Sequence, residues 1–417
     1  MAIESPIALS VISRMPNSEI STAAFQPLMA LALLIESPVI DLLTTATTLG
    51  KDRQHYVQLS RFVWILMAFV TAVHTIVSWT PLYWIVTERI IGLEAPVAQV
   101  ARIGLMLMVP WSALIGWRRY LQGILIRNGH TRLIGFGTAI RMVTMATVAA
   151  TLSHLGLFNS VTTVAACLLC SVAAEAAFIH ISSRPVVRHR LTHVDDTLTP
   201  LTQSFLARFH IPLTATTMVT ILSQPLVSAA LARSPSPTLA LASFQVASSI
   251  IWLHRTIVFA LPEVVITLYQ SGQAALKLKR FCVGVGLITT GTMLITAITN
   301  VDSVIFRRLL GYRNEEIIHL AHLCLILSCL LPLFGALQSY LRGVLAAHHL
   351  TVSRLAAILV ALVTMLTILG IGVLARWPGV VTASAALTSA QLAELVVLAQ
   401  SWRRGQRKLI PVVDSAV

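Results

Sequence analysis

Pro6-Ile-Ala-Leu-Ser-Val-Ile-Ser-Arg14-Met-Pro16, leading on to Phe25-Gln26, occurs a second time as Pro225-Leu-Val-Ser-Ala-Ala-Leu-Ala-Arg233-Ser-Pro235, leading on to Phe244-Gln245. Every landmark is displaced by 219 residues, and the apolar run before each arginine has the same length. The register persists downstream. Arg89 and Gly92 match Arg308 and Gly311, Ala174-Glu175 matches Ala393-Glu394, and Arg184 matches Arg403. Tyr120-Leu121-x-Gly123 matches Tyr340-Leu341-x-Gly343 after a slip of one residue. Two apolar segments alike by chance would not hold register over such a distance. The chain is a tandem duplication whose halves meet near residue 200.

Composition sets the class. The chain is 56% hydrophobic and 11% charged, with a mean hydropathy of +0.81, whereas a soluble domain is roughly a quarter charged. This is a polytopic membrane protein, with no stretch left over for a separate soluble domain. The formal charge of +14 does not point to nucleic acid, because many of the basic residues sit at segment ends rather than on one polar face. The N-terminus has no positive n-region, and Glu4 interrupts its apolar run, so no cleavable signal peptide is expected. The five cysteines lie in hydrophobic segments. Cys167-x-x-Cys170 has no second ligand pair nearby and reads as small buried side chains rather than a metal or redox site.

About 20 apolar residues span the hydrocarbon core as a helix, and helices are the default because the backbone must satisfy itself there. The complete spans expected in the first half are 24–49, 62–79, 97–126, 133–157 and 160–182. In the second half they are 201–231, 239–268, 281–298, 317–346, 355–374 and 380–400. The duplicated stretch follows a long apolar run in the second half but opens the first half almost at Met1. The first lobe is therefore expected to begin midway through its first helix, through a misassigned or truncated start or as a working half-helix. The expected organisation is an N-terminal lobe over 1–182, a cytoplasmic linker over 183–200, a C-terminal lobe over 201–402 and a basic cytoplasmic tail over 403–417.

Lys and Arg accumulate on the cytoplasmic side of membrane proteins. Few fall at the odd junctions, Arg14, Arg89, Arg233, Arg307, Arg308, Arg313 and Arg376 among them. Far more lie at the even junctions and the tail, as in Lys51 and Arg53, Arg127 and Arg132, Arg184 to Arg190, Lys277 to Arg280 and Arg403 to Lys408. The even side and the C-terminus are thus expected inside. Six helices per half give both halves the same orientation, related by an axis along the membrane normal. The predicted fold class is an all-α polytopic membrane protein of two six-helix lobes, twelve spans with the first incomplete.

Ionisable residues within spans are costly and face the protein interior or a wet cavity. The acidic ones are Glu36, Asp41, Glu175, Glu263 and Glu394. The basic ones are Arg102, Arg118, Arg119, Arg141, Arg208, Arg255 and Arg342, with His74, His180, His210 and His254 beside them. Glu36 is the repeat mate of Arg255, and a two-fold axis would bring the two together as a structural bridge or a gate. Glu175 and Glu394, symmetric on the last helix of each lobe, are either paired with arginine or protonatable. Arg118, Arg119 and Arg342 flank the Tyr-Leu-x-Gly motifs and either snorkel to the headgroups or form a basic vestibule. Pro38, Pro110, Pro212, Pro262 and Pro332 each interrupt a span. Broken helices line transporter sites, though packing can also accommodate them. No motif for hydrolysis, metal catalysis or nucleotide binding is present, so the chain is not expected to be an enzyme and needs no cofactor.

Two lobes of six helices, with Ile35-Glu-Ser-Pro38 leading to Gly50-Lys-Asp-Arg53 and then His74-Thr75 on the next helix, resemble the MATE-like exporters of the MOP superfamily. Within it the likeness is nearest to the progressive ankylosis (ANKH) branch, in which a similar Lys-Arg-Asp-Arg loop precedes a helix carrying His-Thr. The resemblance implies a V-shaped twelve-helix bundle that exports solutes by alternating access. MATE drug exporters use H⁺ or Na⁺ gradients with acidic residues in the N-lobe, and the ankylosis branch is associated with efflux of pyrophosphate, nucleotide or citrate. The incomplete first helix departs from the pattern, with Glu4 as its one acidic remnant.

The sequence thus leads to a secondary active exporter of a small organic or phosphate-containing anion. The chain is expected to be multi-pass in the plasma (inner) membrane, with the bilayer, the solute and H⁺ or Na⁺ as its partners and no nucleic acid. Arg102, Arg141, Arg208, Arg255 and Glu36 are the expected substrate ligands or gates. Glu36, Asp41, Glu175, Glu263 and Glu394 are the ion-coupling candidates. Multidrug efflux, flipping of a lipid-linked substrate and a non-transporting degenerate membrane protein are the alternatives.

Overall fold

A computed structural model of the chain describes residues 4–156, 160–189, 191, 201–258, 261–268, 273–347 and 351–409. Nine helices among these residues are long and apolar enough to cross a bilayer, or ten if one bent pair counts as a single span. Large apolar side chains such as Phe69, Phe136, Val143, Ile288 and Leu374 lie exposed along them. In water such surface would aggregate; against lipid it is the expected face. The protein is an integral, multi-pass, all-helical membrane protein.

The duplication is visible in where the helices start and stop. In the first repeat α1 is Glu4–Ile12, α2 Ser18–Ile40, α3 Leu42–Leu49, α4 Arg53–Trp79 and α5 Leu82–Trp84. They are followed by a π-helical turn Ile85–Ile91, then α6 Ala95–Leu107, α7 Trp111–Arg127, α8 Thr131–Leu155 and α9 Ser160–His189. Helix α10, Gln203–Ile221, precedes the second repeat. That repeat runs α11 Ser223–Leu231, α12 Pro237–Thr256, α13 Leu261–Leu268, α14 Gln273–Ile298 and α15 Val301–Val304. A second π-helical turn, Ile305–Leu309, leads into α16 Glu315–Leu327, α17 Leu331–Ala347, α18 Thr351–Leu374 and α19 Gly379–Leu409. Both ends of α11 lie 219 residues after those of α1, and both ends of α16 and α17 lie 220 after those of α6 and α7. Each π turn is followed by a left-handed glycine, Gly92 at φ 88° and Gly311 at φ 82°. The one-residue slip therefore falls in the short connection after these glycines.

Contacts divide the chain into two units, Ile7–Ser228 and Ala229–Val417, the latter taking Met1–Pro6 with it. α10 thus groups by contacts with the first unit. α10 packs on α2 and α4 in the first unit, and its start is tied to α4. Gln203 donates to the Gln58 carbonyl at 3.1 Å, and Gln58 Oε1 accepts from the Leu201 amide at 2.7 Å. The tail expected from residue 403 begins as helix, since α19 continues to Leu409. Most of the linker lies outside the described residues.

The prolines sit at the joints. Pro110 caps the start of α7, where the chain bends by 48° between α6 and α7. Pro332 is the second residue of α17 and Pro262 the second of α13, positions where a missing N–H costs no helical bond. Pro38 lies inside α2, three residues before the break at Asp41 that separates α2 from α3, and Pro212 lies inside α10.

The Tyr-Leu-x-Gly motif has a packing reason in both repeats. A Cβ on Gly123 would lie 2.6 Å from the Leu43 carbonyl oxygen and 2.7 Å from Ala46 Cβ on α3; one on Gly343 would lie 2.5 Å from Val265 Cγ1 on α13. The glycines let α7 and α17 close on the short second segments of the broken helices. Gly123→Ala and Gly343→Ala are each expected to lower stability by about 1–3 kcal/mol through overpacking. Thermal unfolding in detergent checks this, with Gly135→Ala, where a Cβ meets nothing within 4 Å, as the neutral control.

Candidate functional site

The buried charges of the first unit gather on one face of α7. Trp111, Arg118 and Gln122 are spaced seven and four apart, two turns and then one, so they project to the same side. Opposite them, α9 presents Glu175, which is fully buried. Arg118 donates to Glu175 Oε2 at 2.6 Å, and Gln122 donates to Oε1 at 3.2 Å. Arg141 on α8 reaches the same Oε2 at 3.4 Å, and its guanidinium lies over the Trp111 ring, 5.7 Å from the centroid. The indole N–H of Trp111 donates to Glu36 Oε2 on α2. Four helices thus meet around two carboxylates and a row of arginines. Arg118 is only 6% exposed, so it does not snorkel.

The count of charges leaves one cation over. Glu36 and Glu175 face Arg118, Arg119 and Arg141, all of which interact electrostatically with them. Arg119 has no hydrogen bond among the described residues, and its Nε is buried without a partner, as is Glu36 Oε1. The other two arginines are held by Glu175. A planar guanidinium with five donors and no carboxylate of its own is suited to an incoming carboxylate or phosphate.

The second unit repeats the theme with two residues exchanged. The mates of Arg118 and Gln122 are Gln338 and Arg342, so the Arg and Gln swap places one turn apart. Arg342 on α17 donates through Nε to Glu394 Oε1 at 2.9 Å, and Gln338 donates to the Gln391 carbonyl at 2.7 Å. Arg255 on α12 is half-buried beside this pair; Arg342 and Glu394 both act on it, and its guanidinium lies 5.8 Å from the Trp252 ring centroid. Within its own unit Glu36 meets Trp111, and Arg255 lies beside Arg342 and Glu394.

The remaining expected residues fall elsewhere. Arg102 on α6 donates to the carbonyls of Ser78 and Trp79 at 3.2 and 3.3 Å and lies over Tyr83 and Trp84. It caps the C-terminus of α4, away from the α7 cluster. Its repeat counterparts form a polar pair that the sequence reading did not single out: His322 Nδ1 lies 2.6 Å from Oδ2 of the buried Asp302. Arg208 is exposed on α10, which explains how it tolerates a span without a partner. Asp41 sits at the α2–α3 break with one buried, unbonded oxygen. The side chain of Glu263 lies outside the described residues. All five cysteines are free thiols.

No family model and no curated protein matches the sequence. The fold, by contrast, matches solved transporters over nearly the whole chain. An inward-facing multidrug resistance MATE family transporter of the MOP superfamily aligns with a TM-score of 0.71 at 12% identity, covering 97% of this chain and 96% of the other. The lipid II flippase MurJ in an inward closed conformation aligns at 0.72 and 13% identity, over 96% and 86%. A MOP superfamily transporter from Pyrococcus furiosus, whose binding pocket is described as reversed in polarity, aligns at 0.63 and 14% identity, over 97% and 94%. The chain thus has the fold of MATE-like membrane transporters.

Proposed function

We propose that this protein is a secondary active transporter of a small organic or phosphate-containing anion, working by alternating access. The observation that carries the reading is Arg119, a third arginine beside the two carboxylates Glu36 and Glu175, whose guanidinium makes no hydrogen bond among the described residues while Arg118 and Arg141 are both held by Glu175. Three arginines against two glutamates leave the cluster net positive, which suits an anion rather than a cationic drug. The P. furiosus neighbour, with its reversed pocket polarity and the different function inferred from it, supports such a departure within this fold. The MurJ likeness supports a second form of the same reading, in which the anion is the headgroup of a lipid-linked substrate. The likeness to the ankylosis branch, coupling to H⁺ or Na⁺, residence in the plasma (inner) membrane and a cytoplasmic C-terminus belong to this proposal as well.

The test is movement of labelled citrate, pyrophosphate and ATP in proteoliposomes under imposed proton and sodium gradients. Saturable movement of one of these, inhibited by the others, is the expected result. Transport of organic cations with no anion movement would replace the proposal with multidrug efflux. Transfer of a lipid-linked anion alone would favour the flippase form.

A further inference from the structure

Where α2 breaks, α10 inserts a buried histidine. His210 is 2% exposed. Its Nε2 lies 2.7 Å from the carbonyl oxygen of Pro38, its Nδ1 lies 2.9 Å from Thr45 Oγ1, and the Phe62 ring meets it edge-on at 5.5 Å. A carbonyl can only accept, so Nε2 carries a hydrogen in every protonation state. Nδ1 faces a hydroxyl, which can donate or accept. Neutral His210 therefore accepts from Thr45 at Nδ1. Protonated His210 donates to Thr45 there, after the hydroxyl hydrogen rotates away. The ring can gain or lose a proton without giving up either hydrogen bond.

A charge gained in this place has a counter-ion waiting. Asp41 stands one turn before Thr45, at the break, where its Oδ2 is buried with no hydrogen-bond donor, and its charge acts on His210. The other ionisable groups on elements packed against α10 are engaged elsewhere or face away. On α2, Glu36 is bonded to Trp111, and Glu19 is in the first turn. On α4, His74 bonds the Leu105 carbonyl and Ser112, His55 is beside Asp52, Tyr56 stacks on Tyr120 under Arg53, and Arg61 is exposed. α3 carries none, and Arg208 on α10 itself is exposed.

We infer that His210 is a proton-binding site, taking its proton at Nδ1 with Asp41 as counter-ion and the Pro38 carbonyl and Thr45 hydroxyl as fixed partners. The inference rests on the transporter reading for its purpose, supplying the proton side of the coupling, but not for its existence. Unwound carbonyls at helix breaks are where transporters of broken-helix design hold coupling ions. Here the ion is bound by a residue of α10, the helix packed against the break.

The experiment is nitrogen NMR of the full chain, ¹⁵N-labelled at its 13 histidines, in lipid nanodiscs, with His210→Gln identifying the His210 signals by their loss. The expected spectrum shows an Nε2–H tautomer at high pH and a single protonation at Nδ1 as pH falls. Asp41→Asn should weaken proton binding at His210 at least tenfold, an opposite charge being removed from a buried site. Thr45→Val should weaken it as well, and unchanged signals from the other histidines report that both variants are folded. No titration between about pH 4 and 9, or an Asp41→Asn midpoint equal to that of the parent, would overturn the site. Displacement of the proton by sodium at fixed pH would overturn it in favour of a metal cation. In proteoliposomes loaded with pyrophosphate, His210→Gln should lose pH-gradient-driven movement at least tenfold while keeping gradient-free exchange. If no anion moves even in the parent, the transport reading fails and the spectra still decide the site.

Discussion

Glu175→Ala is expected to lower the unfolding free energy by about 3–5 kcal/mol, the typical loss when one partner of a buried ion pair is removed. The reason is local. Arg118 and Arg141 both depend on this carboxylate, and their side chains are 7% and 4% exposed. Without it, three arginines share Glu36. The mirror change, Glu394→Ala, should cost less, because Arg342 is 24% exposed and its guanidinium can reach water or headgroups. Adding Arg118→Met to Glu175→Ala should recover part of the loss, since a buried charge without a partner is worse than none. Denaturant unfolding in mixed micelles measures all three. Equal losses from the two glutamates would show that burial does not set the cost.

Arg119→Gln should do the reverse, leaving stability unchanged or improved while weakening anion binding. A hydrogen bond to a charged group contributes about 1.5–3 kcal/mol, so the loss should be roughly tenfold to a hundredfold in affinity. Isothermal titration with pyrophosphate and with citrate measures it. Arg102→Gln is the contrasting variant: it should destabilise the end of α4 and leave anion affinity unchanged. An Arg119→Gln protein that binds anions as tightly as the parent would remove this residue from the site.

The duplication was legible residue by residue, and the helix ends follow it at the same 219- and 220-residue spacings. Equivalence under a repeat does not say which neighbour a residue meets, however. Glu36 and Arg255 are equivalent, yet within their own units Glu36 meets an indole and Arg255 an arginine–glutamate pair. Arg118 and Arg119 read either as headgroup anchors or as a basic vestibule because they lie near the expected cytoplasmic end of a span. A break before Trp111 starts a new helix whose face turns Arg118 inward. The signal present in the sequence was the pair Arg118 and Gln122, one turn apart and exchanged as Gln338 and Arg342, both opposite an invariant position of the repeat, Glu175 and Glu394. The exposure of Arg208 and the capping contacts of Arg102 were not legible, because hydropathy locates a span but not its exposed stripe or its capped end.

The two π-helical turns carry a date. A π turn holds one residue more than the α-helical turn it replaces, and each repeat has one at the corresponding place, Ile85–Ile91 and Ile305–Leu309, each followed by a left-handed glycine. Two independent insertions at the same spot, with the same terminating glycine, would be a coincidence. The insertion is older than the doubling of the chain and was copied with it. By the same reckoning the one-residue difference between the connections after Gly92 and Gly311, and the exchange of Arg and Gln between α7 and α17, arose after the doubling, when the halves had begun to diverge.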